Sequence, residues 1–415
     1  MRRDGQSPAN KGHSKTVSFS GAVRNNMKVV VSVGGTWHVP HLGYQLQIRD
    51  MLQAVFTTIP KQRFLYRADL DPKRIHWVPL PELFGERLPN LLKIPPKIFA
   101  GSPYWYAATF DQYVSRKLRP LHADLLVAFS RFGLESFRVC RSAGTMTVVE
   151  RNSTHTLYRE RLLEEEYSLR GAEKSWTALD HRVVERELRE YDIADYIQVP
   201  SKFVFDSLVE MGIPKNKIIC IPMGVNLEWF QPVPQSEAQL FRVLTVGGLG
   251  IRKGTNYLLE AMEMLSGLNL ELLLVGSLDP FIVQKLRESR VKWKFPGYFQ
   301  QHELSSVYNC VSVYCLPSIE EAMSYTLLEA MACGLPVIAS VNTGAADIIT
   351  DGVDGFLVPI RDPQAIAEKL ALLYHQPELR NSIGKKARER AMTFSWDCYG
   401  DNIQRGYERI MQGNP

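Results

Sequence analysis

Between Ser318 and Ser340 the chain reads SIEEAMSYTLLEAMACGLPVIAS. The apolar run before it stops at Pro317, as a buried strand would. A loop carrying Glu321 follows, and the spacing predicts a helix from about Ser324 with Glu329 in its second turn. Gly334 and Pro336 end that helix, and Val337–Ala339 begins the next strand. A helix that starts beside the carboxyl end of a strand offers unpaired N–H groups and a positive dipole end, here at Ser324, Tyr325 and Thr326. Those features suit a diphosphate. Glu321 and Glu329 would repel phosphate and fit better as acceptors for sugar and ribose hydroxyls. An ordinary surface helix with Glu in its first turns is the alternative for the stretch taken alone.

Outward from this unit the same alternation continues. Strands are predicted near Arg242–Val246, Leu270–Val275, Val291–Phe295, Val311–Leu316, Pro336–Ala339 and Phe356–Val358, with helices near Tyr257–Leu265 and Ala365–Tyr374. An earlier series comprises Val29–Val33, Ile75–Val78, Leu125–Phe129, Thr147–Glu150, Tyr196–Val199 and Ile218–Ile221, with helices near Leu157–Leu169 and Arg182–Tyr191. Strands alternating with helices imply parallel sheets covered on both faces, and 415 residues are too many for one ordinary core. The fold class is therefore α/β with two Rossmann-like domains. The Pro-rich stretch Ile221 to Glu237, with Pro222, Pro232 and Pro234, reads as the linker. The expected division is residues 27–236, then 237–397, with residues 398–415 returning to the first domain. Ligands of such sheets bind at the carboxyl ends of strands, so the two lobes should share one cleft.

Three more runs carry chemistry. In VLTVGGLGIRKGTNYLLEA (Val243 to Ala261) a Gly-rich turn around Gly248 follows a strand, and Arg252 and Lys253 there can neutralise a departing diphosphate. In SVGGTWHV, Gly34 and Gly35 follow the first strand, but the full Gly-x-Gly-x-x-Gly spacing is missing, which speaks against a dinucleotide dehydrogenase. In VVERNSTH, Arg151 and His155 lie just past a strand end, in a loop placed to line the cleft. A tight turn and a structural histidine are the bland readings of the last two.

Together these motifs resemble the family-four retaining glycosyltransferases of GT-B fold. The Glu321-x7-Glu329 spacing with EAMACGLPVIAS, the Lys253-Gly254 pair, VERNSTH, VPSKFVFDSL, IPMGVNLEWFQP, FPGYF around Gly297 and the C-terminal run TFSWDCYGDNIQRGYERIM all take part. The resemblance extends over nearly everything from Met27 onward. It implies that Glu321 contacts the donor sugar, that Glu329 holds the ribose, and that His155 faces the donor sugar and phosphate. Gly34 and Gly35 would lie under the diphosphate, and Tyr298 beside the nucleobase. Ala322, Met323 and Ser324 stand where Gly-Phe-Gly is common, and Gly248 stands where an Arg is common, with Arg252 taking over its charge. The implied activity is hexosyl transfer with retention, from a UDP- or GDP-linked sugar to a glycan or lipid-linked acceptor, in cell-surface polysaccharide or glycoconjugate synthesis. No metal and no cofactor is implied. A non-hydrolysing sugar-nucleotide epimerase and a catalytically silent nucleotide-sugar-binding protein are the rival readings.

Composition narrows the setting. Six cysteines without Cys-x-x-Cys spacing argue against a disulfide framework or a structural zinc site. No apolar core follows Arg2 and Arg3, and no apolar run reaches membrane-spanning length, so a cytoplasmic protein is expected, peripheral at most on the inner membrane face. Residues 1–26 are polar and basic and are expected to be disordered; Met27 is an alternative start. Residues 27–120 carry thirteen Lys and Arg against six Asp and Glu, without a nucleic-acid-reading element. An anionic lipid surface or a phosphorylated acceptor fits that asymmetry, with Leu83 to Arg119 as the candidate membrane-facing segment.

Overall fold

A computed structural model describes residues 27–35, 37–65, 69–79, 102–172, 180–233 and 240–413. The expected disorder of residues 1–26, and residues 83–101 of the segment assigned to a membrane, lie outside them. Two parallel sheets organise the chain. The first contains β1 (Val29–Val33), β2 (Leu52–Thr57), β3 (Ile75–Trp77), β4 (Leu125–Phe129), β5 (Met146–Glu150), β6 (Tyr196–Val199) and β7 (Ile218–Cys220), in the order β3-β2-β1-β4-β5-β6-β7. The second contains β8 (Phe241–Leu249), β9 (Leu270–Leu278), β10 (Trp293–Gly297), β11 (Val313–Leu316), β12 (Val337–Ser340) and β13 (Phe356–Val358), in the order β10-β9-β8-β11-β12-β13.

β1 and β4 are buried at every position, as strands must be when crossover helices cover both faces of a parallel sheet. In each sheet the order reverses beside one strand, β1 in the first and β8 in the second. At such a switch point the loops leaving adjacent strands diverge and a crevice opens. The loops after β1 and β5 and those after β8 and β11 carry most of the candidate residues, with Tyr298 after β10 and Gly248 within β8 as exceptions.

The covering helices of the first half are α1 (Val39–Ile48), α2 (Ser102–Leu118), α3 (Leu134–Ala143), α4 (Thr156–Leu169), α5 (His181–Ile193) and α6 (Lys202–Glu210). Those of the second are α7 (Thr255–Met264), α8 (Pro280–Glu288), α9 (Tyr325–Ala332), α10 (Pro363–His375), α11 (Pro377–Ala391) and α12 (Trp396–Met411). α12 buries Tyr399, Ile403, Tyr407 and Ile410, a helical stripe, in the core of the first lobe. Arg49, the C-cap residue after α1, fixes it with an ion pair to Asp401 at 2.5 Å. The C-terminal helix therefore crosses back.

Three features differ from the sequence expectations. β2 follows α1 after only three residues and lacks a Gly or Pro boundary, so its pattern merges with the helix. Gly247 and Gly248 do not form a turn: β8 runs on to Leu249, pairing them with Gly276 and Ser277 of β9. Core membership also changes hands earlier than residue 237, because Met223, Val225 and Phe230 already pack in the second lobe. Leu163 of α4 is likewise buried among second-lobe residues such as Val243 and Leu258, so this first-half helix straps the lobes together. No helix among the described residues is long and apolar enough to cross a membrane.

Candidate active site

A cavity of about 560 Å³ lies between the lobes, with Gly34, Trp37, Phe132, Glu150 and Arg151 on one wall and Arg252, Glu320 and Glu321 on the other. The second-lobe wall is built by the turn after β8. Gly254 has φ +63°, and a Cβ there would fall 2.0 Å from the Pro317 carbonyl oxygen, so only glycine brings this turn against the exit of β11. The contact seats two cations on Glu321: Lys253 Nζ at 2.6 Å and Arg252 Nη1 at 3.0 Å from its Oε2. Burial alone would raise the Glu321 carboxyl, but Lys253 and Arg252 outweigh it and hold its pKa at about 2. The site thus presents an ionised acceptor between two charged donors, a pairing able to serve hydroxyls and a diphosphate together.

The neighbouring Glu320 was absent from the sequence expectations. It is 1% exposed and accepts the Thr154 N–H at 3.1 Å and the Thr154 hydroxyl at 3.0 Å, with Arg159 Nε 3.5 Å away. The two lobes hydrogen-bond directly through it. Both carboxylates face Arg252, with Glu320 Oε2 at 3.7 Å and Glu321 Oε2 at 3.0 Å from its Nη1, so the pair of adjacent acids after a strand was the signal for it.

Glu329 stands in the second turn of α9, as expected, but behind the cavity wall. It is 2% exposed and accepts from Gln301 Nε2 at 2.8 Å and from the Tyr308 hydroxyl at 3.0 Å. Burial with only neutral partners pushes its pKa up to about 7. Ser324 is buried at the start of α9, its hydroxyl 2.7 Å from that of Thr326, and Tyr325 opens the helix. Gly248 and Tyr298 are not brought to the cavity: Gly248 lies in β8 opposite Ser277, and Tyr298 is 73% exposed.

On the first-lobe wall a Cβ on Gly34 would sit 2.0 Å from the Phe132 ring, and its carbonyl accepts from Thr58 at 3.1 Å and from the Tyr106 hydroxyl. Gly35 is adjacent, its carbonyl accepting from Thr57 at 3.1 Å. Arg151 lines the cavity, yet most of its guanidinium is committed to protein partners: Glu187 at 2.9 Å and the Thr154 carbonyl at 2.8 Å. Burial would raise the Glu187 carboxyl, but Arg151 and Arg131 hold it at about 2. Arg151 therefore shapes the 151–155 loop. His155 is 2% exposed and is not a cavity-lining residue. Its Nδ1 accepts the Leu157 N–H at 3.3 Å as the N-cap of α4, and burial with Arg151 lowers its pKa to about 4.

An Asp-x-Asp pair, Asp69 and Asp71, occurs in the chain. Asp71 caps a short turn by accepting the Lys73 N–H at 2.9 Å, and neither aspartate lines the cavity.

Residues 230–390 match the family described as "Glycosyl transferases group 1". The chain is 31% identical over 217 residues to the sulfoquinovosyl transferase SQD2 of Arabidopsis thaliana, covering 49% of this chain and 42% of that protein. It is 29% identical over 199 residues to the putative colanic acid biosynthesis glycosyltransferase WcaL of Escherichia coli K12, covering 44% and 48%. The chain thus spans about half the length of these curated relatives. Its fold is similar to that of sucrose-phosphate synthase from Thermosynechococcus elongatus, with TM-score 0.69, 22% identity, and 93% and 100% of the two chains covered. Anabaena HepE, solved with UDP and glucose, superposes with TM-score 0.65 at 16% identity over 92% and 99%. Residues 230–390 carry a glycosyl transferases group 1 domain within a two-lobed GT-B fold.

Proposed function

We propose that this chain transfers a hexosyl group from a UDP- or GDP-linked sugar to a glycan or lipid-linked acceptor. The observation that carries the reading is Glu321, ionised between Lys253 and Arg252 on the wall of an interlobe cavity. A nucleotide sugar presents at that point a ring with hydroxyl donors joined to a diphosphate, which demands both charges side by side. HepE, which shares the fold, binds UDP-glucose.

In this reading the nucleotide lies along the second lobe, with its ribose toward Glu329 and its diphosphate over Lys253, Arg252 and the first turn of α9. As the anomeric C–O bond breaks, charge grows on the leaving diphosphate, and donors fixed in advance stabilise it without reorganising. The acceptor oxygen bonds to the anomeric carbon on the face the phosphate leaves, so configuration is retained. The departing phosphate takes the acceptor's proton, and the positive charge needed comes from side chains rather than a metal. The setting is cell-surface polysaccharide or glycoconjugate synthesis in the cytoplasm, with the first lobe toward an anionic membrane face.

A thermal-shift panel of UDP- and GDP-sugars, followed by turnover with and without acceptors and with EDTA, tests this. Turnover that requires an acceptor, persists in EDTA and gives a retained linkage supports the reading. Isomerisation of donor without acceptor would make the chain an epimerase. Donor binding without any turnover would make it a binding protein.

A further inference from the structure

We propose that Glu150, beside His38, accepts from a hydroxyl next to the reacting one on the acceptor, leaving the reacting hydroxyl's proton for the departing phosphate, and that the acceptor's reacting unit is an uncharged sugar ring stacked on Trp37. The proposal rests on the transferase reading above and concerns the wall opposite the donor residues.

Glu150 closes β5 and lines the cavity, in register with Phe129 of β4 and Gln198 of β6. It is 3% exposed, and its Oε1 lies 2.5 Å from His38 Nε2. The contact is close without the alignment of a hydrogen bond. Glu150 Oε2 and His38 Nδ1 have no hydrogen-bond partner. A buried carboxylate oxygen with nothing to accept from is costly, and native folds keep such groups where a ligand completes them. None of the donor-side steps uses Glu150. His38 follows the Gly34–Gly35 loop, and its ring meets Tyr399 of α12 edge-on at 5.9 Å, so the C-terminal helix backs the pair.

The surface above the pair is aromatic. Trp37 stacks on Phe129 with centroids 5.3 Å apart and planes 4° from parallel, and Phe132 and Tyr106 flank it at the cavity. Trp37 is 50% exposed at φ +36°, a conformation a bulky residue adopts only when its surroundings impose it. A pyranose offers C–H groups on its face and hydroxyls at its edge, matching an indole plane beside a carboxylate acceptor. A phosphate or carboxylate at the same place would meet Glu150 as a like charge. The phosphorylated acceptor suggested by overall charge is therefore disfavoured at the reacting end, whatever charge the rest of the acceptor carries.

The test uses the whole chain on an array of neutral, carboxylated and phosphorylated oligosaccharides, with and without saturating UDP or GDP. Nucleotide affinity is measured separately by calorimetry. Neutral members should be retained. Trp37→Ala should weaken them at least about 10-fold with nucleotide affinity unchanged. Glu150→Gln should weaken neutral members and relax discrimination against phosphorylated ones, and His38→Gln should do the same more mildly; a merely structural role would not move that preference. If Glu150→Gln does not fold, the half-exposed Trp37→Ala carries the test alone. Preference of the wild-type chain for anionic members, retention of none, or neutral binding unchanged in these variants would overturn the proposal. Failure to bind either nucleotide would contradict the transferase reading instead, and is visible in the separate measurement.

Discussion

Lys253 Nζ lies 2.6 Å from Glu321 Oε2, so the cation assigned to the diphosphate and the carboxylate assigned to the sugar neutralise each other across one turn. Removing the carboxylate frees Lys253 and Arg252. Glu321→Ala should therefore cut glycosyl transfer by about 10²-fold or more while affinity for bare UDP or GDP holds or rises. Calorimetry with the nucleotide alone checks this. A loss of nucleotide affinity as large as the loss of transfer would exchange the two roles.

Glu329 gives a pH signature. Its folded-state pKa of about 7 stands above the ordinary 4.5, so between those values the folded chain holds a proton that the unfolded chain has lost. The stability this contributes is present below the ordinary value and is lost as pH rises through about 7. The full swing is on the order of 3 kcal/mol. Glu329→Gln should flatten that part of the stability curve, measured by urea unfolding from pH 4 to 8. Ribose hydroxyls donating to the carboxylate favour its ionised form. Nucleotide binding near pH 6 should then release a proton, seen as a buffer-dependent binding heat that Glu329→Gln abolishes.

Much of this was legible in the sequence, and the exceptions have physical causes. Alternating apolar runs located nearly every strand because parallel strands are buried on both faces. β2 escaped because its boundary with α1 is a three-residue turn through Asp50 at φ +56°, with neither Gly nor Pro to mark it. Local strand–loop–helix spacing put Glu329 in the second turn of its helix, where it stands, but did not show its place behind the cavity wall. His155 was read from its place at a strand end, yet whether such a histidine turns to the cavity or caps its own helix depends on local dihedrals. Glu320, Glu187 and Glu150 have partners 166, 56 and 112 residues away in the chain, at Thr154, Arg131 and His38, and no local pattern encodes such pairs.

The lobes are already tied at Thr154–Glu320, at Ser201 Oγ to the Ala322 carbonyl (2.5 Å) and at Glu166–Arg361 (2.6 Å). Saturating donor should tighten this further, lowering the radius of gyration in small-angle scattering. Glu320→Ala should raise it without donor, because Arg159 and Arg252 then lose a shared counter-charge. An unchanged radius in both experiments would mean that the lobes move as one body.

α2 displays Trp105, 59% exposed, and Tyr113, 41% exposed, with Arg116 and Lys117 in its last turn. Vesicles of phosphatidylcholine with about a third phosphatidylserine should co-sediment the chain, at about 1 kcal/mol for each basic residue engaged. Arg116→Gln with Lys117→Gln should weaken this roughly 30-fold. Binding indifferent to phosphatidylserine would remove the membrane from the account and leave the chemistry in place.

The most direct test of the central claim is nucleoside diphosphate release from a panel of UDP- and GDP-sugars, comparing the wild-type chain with Lys253→Ala. One nucleotide class should raise the melting temperature and be turned over by the wild-type chain. Lys253→Ala should bind it more weakly and release diphosphate about 10²-fold more slowly. A chain that binds none of these donors, or a Lys253→Ala variant that turns over donor at the wild-type rate, would contradict the account.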